Sequence, residues 1–218
     1  MNVSQKSFEA RRERMVRQQL AERGIRDARV LAAMGTVPRH EFVLEEFRDR
    51  AYDDCPLPLI EGQTISQPYI VAAMLEHLAL READRALEVG TGSGYATALL
   101  SLLCAEVYSV ERHASLAAEA AARLRRLGCR NVNLRAGDGT RGWKEHAPFD
   151  AILVSAATEE VPEALFEQLG EGGRMILPVG NCWSQDLQLI RKIEGRREVK
   201  TLEGCRFVPL VAGTVVSG

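Results

Sequence analysis

An apolar run that leads into three alternating glycines and then into a helix constrains this fold most. The run begins at Leu87 and reads L-E-V-G-T-G-S-G-Y-A-T as far as Thr97, and an apolar helical stripe follows it. Glycines allow a tight turn between strand and helix and let a ligand approach the backbone closely. The start of the helix directs free N–H groups and a partial positive charge at that ligand. The segment therefore predicts a site for a nucleotide-like ligand.

The spacing of the glycines separates two classes of cofactor. Dinucleotide enzymes place the third glycine three residues after the second, a position that Tyr95 occupies in this chain. The pattern E-x-G-x-G-x-G from Glu88 to Gly94 instead resembles motif I of class I S-adenosylmethionine methyltransferases. On this segment alone, a plain nucleotide-binding turn is the alternative.

Two further acids follow apolar runs at the positions where an open α/β sheet binds its ligand. Glu111 ends the next strand-like run, where a carboxylate can accept hydrogen bonds from two ribose hydroxyls. Asp138 stands between Gly137 and Gly139 after the run 132–136, and we expect it to accept from an adenine amino group. Each acid taken singly could be a solvated or helix-capping residue. Their places at successive strand ends favour the binding interpretation.

Strand-like and helix-like segments alternate from residue 86 onward. The predicted strands are 86–89, 106–110, 132–136, 150–155 and 173–179, and the predicted helices are 95–105, 114–127 and 162–169. This order predicts an α/β fold with a doubly wound, mostly parallel, Rossmann-like sheet, and the resemblance to motif I implies that it is a methyltransferase sheet.

The two ends of the chain differ from this alternating centre. Helices predicted at 8–24, 27–34 and 69–80 form an N-terminal helical extension, and the segments 186–193 and 199 onward form a C-terminal antiparallel hairpin. No linker is evident, so we expect one domain over 1–218. Its parts are N-terminal helices with a proline-rich substrate loop (1–80), a cofactor-binding core (81–180) and C-terminal strands (181–218).

Composition excludes several classes of partner. A net charge of −2 argues against a general nucleic-acid binder or a protein that binds anionic membranes. No apolar run reaches the roughly 18 residues of a membrane span, and the N-terminus lacks the core of a signal peptide. Five cysteines occur without a C-x-x-C pair, and no histidine has metal-ligand spacing. We therefore expect a soluble, cytoplasmic protein without a metal and without disulfides.

Short motifs spread over the chain carry a resemblance to one family. They include V-P-R at 37–39, G-Q-T-I-S at 62–66, G-T-G-S-G-Y at 90–95, G-D-G at 137–139, L-P-V-G at 177–180 and R-F-V-P-L at 206–210. With them, the chain resembles the protein-L-isoaspartate (D-aspartate) O-methyltransferases along nearly its whole length. The G-Q-T-I-S segment is specific to that family, whereas the glycine turn is not.

The resemblance implies which residues form the site. The serine of G-Q-T-I-S bonds the substrate carboxylate in the family, so Ser66, with Thr64, is the catalytic assignment. Ile65 and the tail residues Phe207, Val208, Pro209 and Leu210 would hold the substrate. The cofactor-binding residues would be Gln63, Glu88, Gly90, Thr91, Gly92, Ser93, Gly94, Glu111, Arg112, Gly137, Asp138 and Gly139. One departure is Ile60, where many members carry glycine, so we expect a less flexible substrate loop.

The resemblance also implies the reaction. S-adenosylmethionine would donate a methyl group to the free α-carboxylate of L-isoaspartyl residues, and of D-aspartyl residues, in damaged proteins and peptides, leaving S-adenosylhomocysteine. The ester then collapses to a succinimide that reopens partly to normal aspartate, which is protein repair. A carboxylate with a pKa near about 4 is already anionic at neutral pH, so no general base is required. We expect a monomer with no metal, nucleic acid or membrane as partner.

Three other functions are weighed against this one. A related carboxyl methyltransferase dedicated to one peptide substrate would carry the same motifs. A cofactor-binding module without catalysis is disfavoured because the segment with Thr64 and Ser66 is intact. A nicotinamide oxidoreductase is disfavoured by the glycine spacing.

Overall fold

The computed structural model describes residues 3–215, with side chains from residue 7 onward. Its helices are α1 (Val3–Arg14), α2 (Ala28–Thr36), α3 (Pro68–Leu78), α4 (Tyr95–Leu103), α5 (Ala114–Arg126) and α6 (Glu163–Gln168). Its strands are β1 (Leu57–Pro58), β2 (Thr64–Ile65), β3 (Arg85–Val89), β4 (Glu106–Glu111), β5 (Val132–Ala136), β6 (Phe149–Val154), β7 (Leu169–Gly180), β8 (Gln185–Ile193) and β9 (Arg196–Cys205).

Seven strands form one sheet in the order β5-β4-β3-β6-β7-β8-β9. The first five strands in that order run parallel, and β8 and β9 add to the edge as an antiparallel hairpin. The predicted fold class, including the C-terminal hairpin, is confirmed. Strand order reverses between β3 and β6, and ligands of open α/β sheets bind beyond the carboxyl ends of the strands at such a switch point.

The two faces of the sheet have separate apolar clusters because side chains alternate along a strand. In β3, Ala86 packs with α3, α4 and the N-terminal helices, whereas Leu87 packs on the opposite face with Leu165 and Phe166 of the α6 region. The N-terminal extension therefore shares one apolar cluster with the sheet.

The N-terminal helix differs from its prediction over residues 8–24. The structure has α1 from Val3, continued by a π-helical segment at Met15–Ala21, and the chain leaves the helix at Gly24 with φ +110°. A π-helix makes i→i+5 hydrogen bonds, so positions five apart approach one face. Met15 and Leu20 are both fully buried, and the wider turn brings both into the core.

The proline-rich segment at 52–68 contains a short hairpin that the sequence did not predict. Strands β1 and β2 pair there in antiparallel register, with Leu57 opposite Ile65, and both side chains are buried. Ile60 opens the turn between them, and Glu61 and Gly62 adopt left-handed φ values of 58° and 65°. Ile60 itself has no left-handed φ, so the backbone at the position where the family carries glycine does not require glycine in this chain.

Candidate active site

Two adjoining cavities lie at the carboxyl ends of β3 and β6. The turn cavity, of about 240 Å³, is lined by the glycine turn, the end of β4 and the loop before α3. The tail cavity, of about 270 Å³, is lined by that loop, by Arg23 and Tyr69, and by the segment after β9. Four residues line both cavities: Thr64, Ser66, Ser155 and Val208.

The glycine turn borders the turn cavity. Its three glycines have φ values of +90°, +53° and +87°, which L side chains rarely adopt. Gly90 and Gly92 line the cavity, together with Thr91 and Ser93. Gly94 does not line it, and a Cβ on that glycine would lie 3.3 Å from the Cβ of Ala120. The last glycine therefore serves the packing of α4 against α5.

Glu111 borders the turn cavity at the end of β4. Its Oε2 accepts from the main-chain N–H of Gly92 at 2.8 Å, and its Oε1 accepts from that of His113 at 2.9 Å. Each carboxylate oxygen has a further lone pair, so Glu111 can still accept from a ligand hydroxyl. The geometry is compatible with the ribose role, which stays a prediction.

Glu88 lies beneath the turn and not in either cavity lining. Its Oε2 accepts from the hydroxyls of Thr97 and Ser109, each at 2.5 Å, and the Ser109 hydroxyl lies 2.5 Å from that of Thr91. Burial raises the pKa of Glu88 to about 7, although the two hydroxyl donors lower it. This network ties β3, β4 and α4 together below the site.

Asp138 is one residue from the wall of the turn cavity. Its Oδ1 accepts from the N–H and the hydroxyl of Thr140, at 2.9 and 2.6 Å, and so caps the turn Gly139–Arg141. Partial burial raises the pKa of Asp138, but hydrogen bonds from Thr140 and Gly213 outweigh this and hold the pKa below its usual value. Its capping role and the expected adenine contact use different lone pairs, so the adenine contact stays a prediction.

The two glycines beside Asp138 differ in position. Gly139 lines the turn cavity, and a Cβ there would lie 2.6 Å from Cγ1 of Val89. The absence of a side chain therefore allows this loop to pack on the end of β3. Gly137 lies outside both linings, and its main-chain N–H donates to the carbonyl of Glu111 at 2.8 Å.

Gln63 and Arg112 complete the residues assigned to the cofactor. Both line the turn cavity. The amide of Gln63 donates to the carbonyl of Glu61 at 3.2 Å, and Nε of Arg112 is buried and makes no hydrogen bond within the described residues. Their positions are compatible with ligand contact.

The loop before α3 places the catalytic candidates between the two cavities. Thr64 and Ser66 line both, and the buried Ile65 lines the turn cavity. The carbonyl of Ser66 accepts from Nη2 of Arg39 at 2.9 Å. Gln67 is the residue before α3, so Ser66 lies next to a helix start without capping it by its side chain.

The tail residues are divided between the cavities. Phe207 lines the tail cavity, Val208 lines both, and Pro209 and Leu210 line the turn cavity. Ala157, in the loop after β6, donates to the carbonyl of Val208 at 2.8 Å and accepts from the N–H of Leu210 at 2.6 Å. The tail is therefore held across the carboxyl edge of the sheet.

Several residues at the site were not assigned by the sequence. Gln185 brackets Phe207, accepting from its N–H at 2.7 Å and donating to its carbonyl at 3.2 Å. The guanidinium of Arg23 stacks on the ring of Tyr69, with 3.8 Å from Cζ to the ring centroid, and forms an ion pair with Asp54. Gly62, Tyr95 and Arg206 line the cavities and lie in the motifs G-Q-T-I-S, G-T-G-S-G-Y and R-F-V-P-L, and Arg39, which contacts Ser66, lies in V-P-R.

Across residues 3–215, the structure has no cluster of three or more His, Cys, Asp or Glu side chains suited to a metal ion. None of the helices in that range is both long and apolar enough to cross a bilayer. All five cysteines have free thiols.

Comparison with known proteins agrees with the geometry. The family model of protein-L-isoaspartate(D-aspartate) O-methyltransferase matches residues 10–215. A protein-L-isoaspartate O-methyltransferase of Koribacter versatilis is 54% identical over 204 residues, covering 94% of this chain and 92% of the relative.

Solved structures give the same result. A protein-L-isoaspartate O-methyltransferase superposes with a TM-score of 0.83 at 32% identity, covering 91% of this chain and 65% of that chain. A protein-L-isoaspartate O-methyltransferase of Plasmodium falciparum, in complex with S-adenosyl-L-homocysteine, superposes with a TM-score of 0.81 at 29% identity. That comparison covers 92% of this chain and 98% of the other.

The sheet and its glycine turn define the fold of a class I S-adenosylmethionine-dependent methyltransferase, and the acid at the end of β4 is bonded to that turn. The N-terminal extension and the tail are matched as well. The chain belongs to the protein-L-isoaspartate(D-aspartate) O-methyltransferase family.

Proposed function

We propose that this protein transfers a methyl group from S-adenosylmethionine to the free α-carboxylate of L-isoaspartyl residues in damaged proteins and peptides. The observation that carries the proposal is the shared wall of the two cavities, where Thr64 and Ser66 face both. A donor in one cavity and an acceptor in the other would meet at this wall, which is the arrangement that group transfer requires.

The turn cavity has the features that an S-adenosylmethionine site needs. A side chain at Gly92 would occupy the ligand's space, and Glu111 offers carboxylate lone pairs at the cavity edge. Val89, Val110 and Leu210 supply apolar surface for an adenine ring. When bound, S-adenosylmethionine supplies an electrophilic methyl group attached to a sulfonium.

The chain's own residues would orient and shield the acceptor. The hydroxyl of Ser66 donates one hydrogen bond to the acceptor carboxylate, which positions the anion without neutralising it as a cation would. Thr64 lies on the same wall, and Ile65 contributes buried apolar surface that excludes water. Phe207 and Val208 would hold the acceptor backbone. Because the carboxylate is already anionic, no side chain has to remove a proton.

Transfer of methyl from S-adenosylmethionine to matched peptides tests the proposal. One peptide contains L-isoaspartate and its control contains L-aspartate at the same position. We expect methyl ester on the first peptide only, and product inhibition by S-adenosylhomocysteine. Absence of transfer to any isoaspartyl peptide would overturn the proposal.

A panel of unrelated isoaspartyl peptides tests the alternative of a methyltransferase dedicated to one peptide. The comparisons give that alternative no support, since the relative matched over 94% of this chain is named protein-L-isoaspartate O-methyltransferase. Methylation of a single peptide in the panel would favour the dedicated enzyme, and broad use of the panel would exclude it.

The remaining parts of the proposal concern how the protein works in the cell. We propose that it acts as a cytoplasmic monomer without a metal, nucleic acid or membrane partner, and that 1–218 form one domain. The apolar cluster shared by the N-terminal helices and the sheet supports the single domain. Including D-aspartyl peptides in the same assay tests whether they are also methylated.

A further inference from the structure

Arg39 links the acceptor loop to the helix that follows the glycine turn. Its side chain is fully buried, with Nε donating to the carbonyl of Ala51 at 2.8 Å and Nη2 donating to the carbonyl of Ser66 at 2.9 Å. Its Cζ lies 4.9 Å from the ring centroid of Tyr95, the first residue of α4. One guanidinium therefore contacts three segments that are distant in sequence.

The environment of Arg39 is costly for a charged group. Burial lowers the pKa of Arg39, and the groups that oppose this are Tyr95, Cys55 and Tyr52, none of which is a carboxylate. Its Nη1 is buried and makes no hydrogen bond with the described residues. A buried charge without a counter-ion contributes little to stability by itself. A role in the site accounts for its presence better than stability does.

We infer that Arg39 is a positioning residue for Ser66, and this inference rests on the proposed function of Ser66. The carbonyl that Arg39 holds belongs to the same residue whose hydroxyl is proposed to bond the acceptor carboxylate. Displacement of that backbone moves the hydroxyl with it. Because a misplacement of about 1 Å in a reacting geometry can cost on the order of 100-fold in rate, this hydrogen bond has a direct effect on transfer.

The planar guanidinium suits this task better than an ammonium. Its N–H groups point in fixed directions in one plane, so two carbonyls are held at a set separation while Cζ lies over the Tyr95 ring. A lysine ammonium keeps the charge but does not fix the separation of the two carbonyls. Arg39→Lys therefore tests the geometry of the guanidinium while the positive charge is kept.

The test compares Arg39→Lys and Arg39→Gln with a matched control, Arg174→Lys. Arg174 is also buried and donates to three carbonyls, those of Leu78 at 2.8 Å, Ala79 at 2.9 Å and Asp150 at 3.1 Å, near the amino end of β3. Unlike Arg39, it also pairs with a buried carboxylate, that of Asp84, at 2.6 Å. Arg39→Gln removes the unpaired buried charge and keeps one amide donor, so it is expected to fold. Melting temperature, affinity for S-adenosylhomocysteine and kcat per folded molecule are measured on each preparation.

We expect both Arg39 variants to bind S-adenosylhomocysteine within about 3-fold of the unaltered protein and to lose about 10- to 100-fold in kcat on an isoaspartyl peptide. Saturating peptide should not restore the rate. Arg174→Lys should melt earlier with unchanged kcat per folded molecule. In the Ser66→Ala background, Arg39→Lys should cost no more than about 3-fold further, because both changes affect the same hydroxyl.

Full kcat in either Arg39 variant would overturn the inference, as would additive losses with Ser66→Ala. Failure of Arg39→Gln to fold, while Arg174→Lys folds, would assign Arg39 to stability and also overturn it. Methyl transfer by the unaltered protein is measured separately. Its absence would overturn the proposed function, whereas its presence with fully active Arg39 variants would overturn the positioning role alone.

Discussion

The main-chain N–H of Gly92 donates a 2.8 Å hydrogen bond to Oε2 of Glu111. This bond joins the middle of the glycine turn to the carboxyl end of β4, the neighbouring parallel strand. The same carboxylate accepts from His113 as the chain turns toward α5. One side chain therefore shapes the turn and borders the cavity that the turn creates.

Glu111→Ala is expected to weaken binding of S-adenosylhomocysteine. Hydrogen bonds to a charged acceptor contribute roughly 1.5–3 kcal/mol, so a single lost ribose contact lowers affinity by about 10- to 100-fold. Calorimetry measures the change. Glu106→Ala, at the exposed far end of the same strand, is the control and should leave affinity unchanged. Equal affinity in both variants would remove Glu111 from the binding site.

Asp138→Asn is expected to weaken cofactor binding and to lower the melting temperature less than Asp138→Ala does. Asparagine keeps one side-chain oxygen to cap the turn through Thr140 but lacks a second acceptor for an adenine amino group. The expected loss is again about 1.5–3 kcal/mol. Asp138→Ala should lose the cap as well and melt earlier. Unchanged affinity in the asparagine variant would leave Asp138 with the capping role alone.

Gly92→Val is expected to abolish cofactor binding while the fold largely survives. A Cβ at Gly92 would have only Leu59 as a protein neighbour, at 3.8 Å, so the side chain projects toward ligand space. Strain at φ +53° adds about 1–3 kcal/mol of destabilisation. Circular dichroism and calorimetry separate folding from binding. Gly139→Ala serves as a comparison. Its Cβ would clash with Val89, so we expect this variant to be less stable.

Ser66→Ala is expected to lower the methylation rate by about 10- to 100-fold, which corresponds to about 1.4–2.7 kcal/mol of transition-state stabilisation. Affinity for S-adenosylhomocysteine should stay nearly intact, because the hydroxyl orients the acceptor. The residue before α3 is Gln67, and the structure gives no side-chain cap at this helix start. Melting temperature should therefore hardly change. Full specific activity in a destabilised variant would contradict the catalytic role.

Glu88→Gln is expected to flatten the pH dependence of stability between about pH 4.5 and 7. Burial raises the pKa of Glu88 in the folded protein to about 7, so in this range the folded state binds more protons than the unfolded state. The contribution of Glu88 to stability is therefore greatest below pH 4.5 and falls as pH rises toward 7, by about 3 kcal/mol. Glutamine does not titrate.

Urea unfolding of both proteins at pH 5, 6, 7 and 8 measures this difference. The free energy of unfolding of the unaltered protein should fall toward pH 7 relative to that of the variant. Parallel pH profiles would show that Glu88 titrates near its ordinary pKa in the folded protein.

Most of the central elements could be predicted from local patterns. The bounds of β5 are as predicted, and those of β3, β4, α4 and α5 differ by one or two residues. Apolar periodicity and flanking glycines are local signals, so they mark such elements well. Strand β7 begins four residues before its prediction, because its early glycines disfavour a strand while pairing of Leu169 with Phe149 extends it.

Elements that depend on distant partners were missed. The β1–β2 hairpin lies among prolines, and burial of Leu57 and Ile65 in the common core supports it. The π-helical segment Met15–Ala21 follows from the burial of two side chains five residues apart. Neither signal is present in the local sequence.

By itself, the sequence determined the glycine turn, the order of strands and helices, and three acids at successive strand ends. Only the tertiary structure decided which of these acids borders the cavity. Glu88 is enclosed by hydroxyls below the turn, Glu111 borders the cavity, and Asp138 caps a turn beside it. The three follow the same local pattern, but the direction of a side chain at a strand end depends on register with the neighbouring strands, and that register is set by the packed sheet.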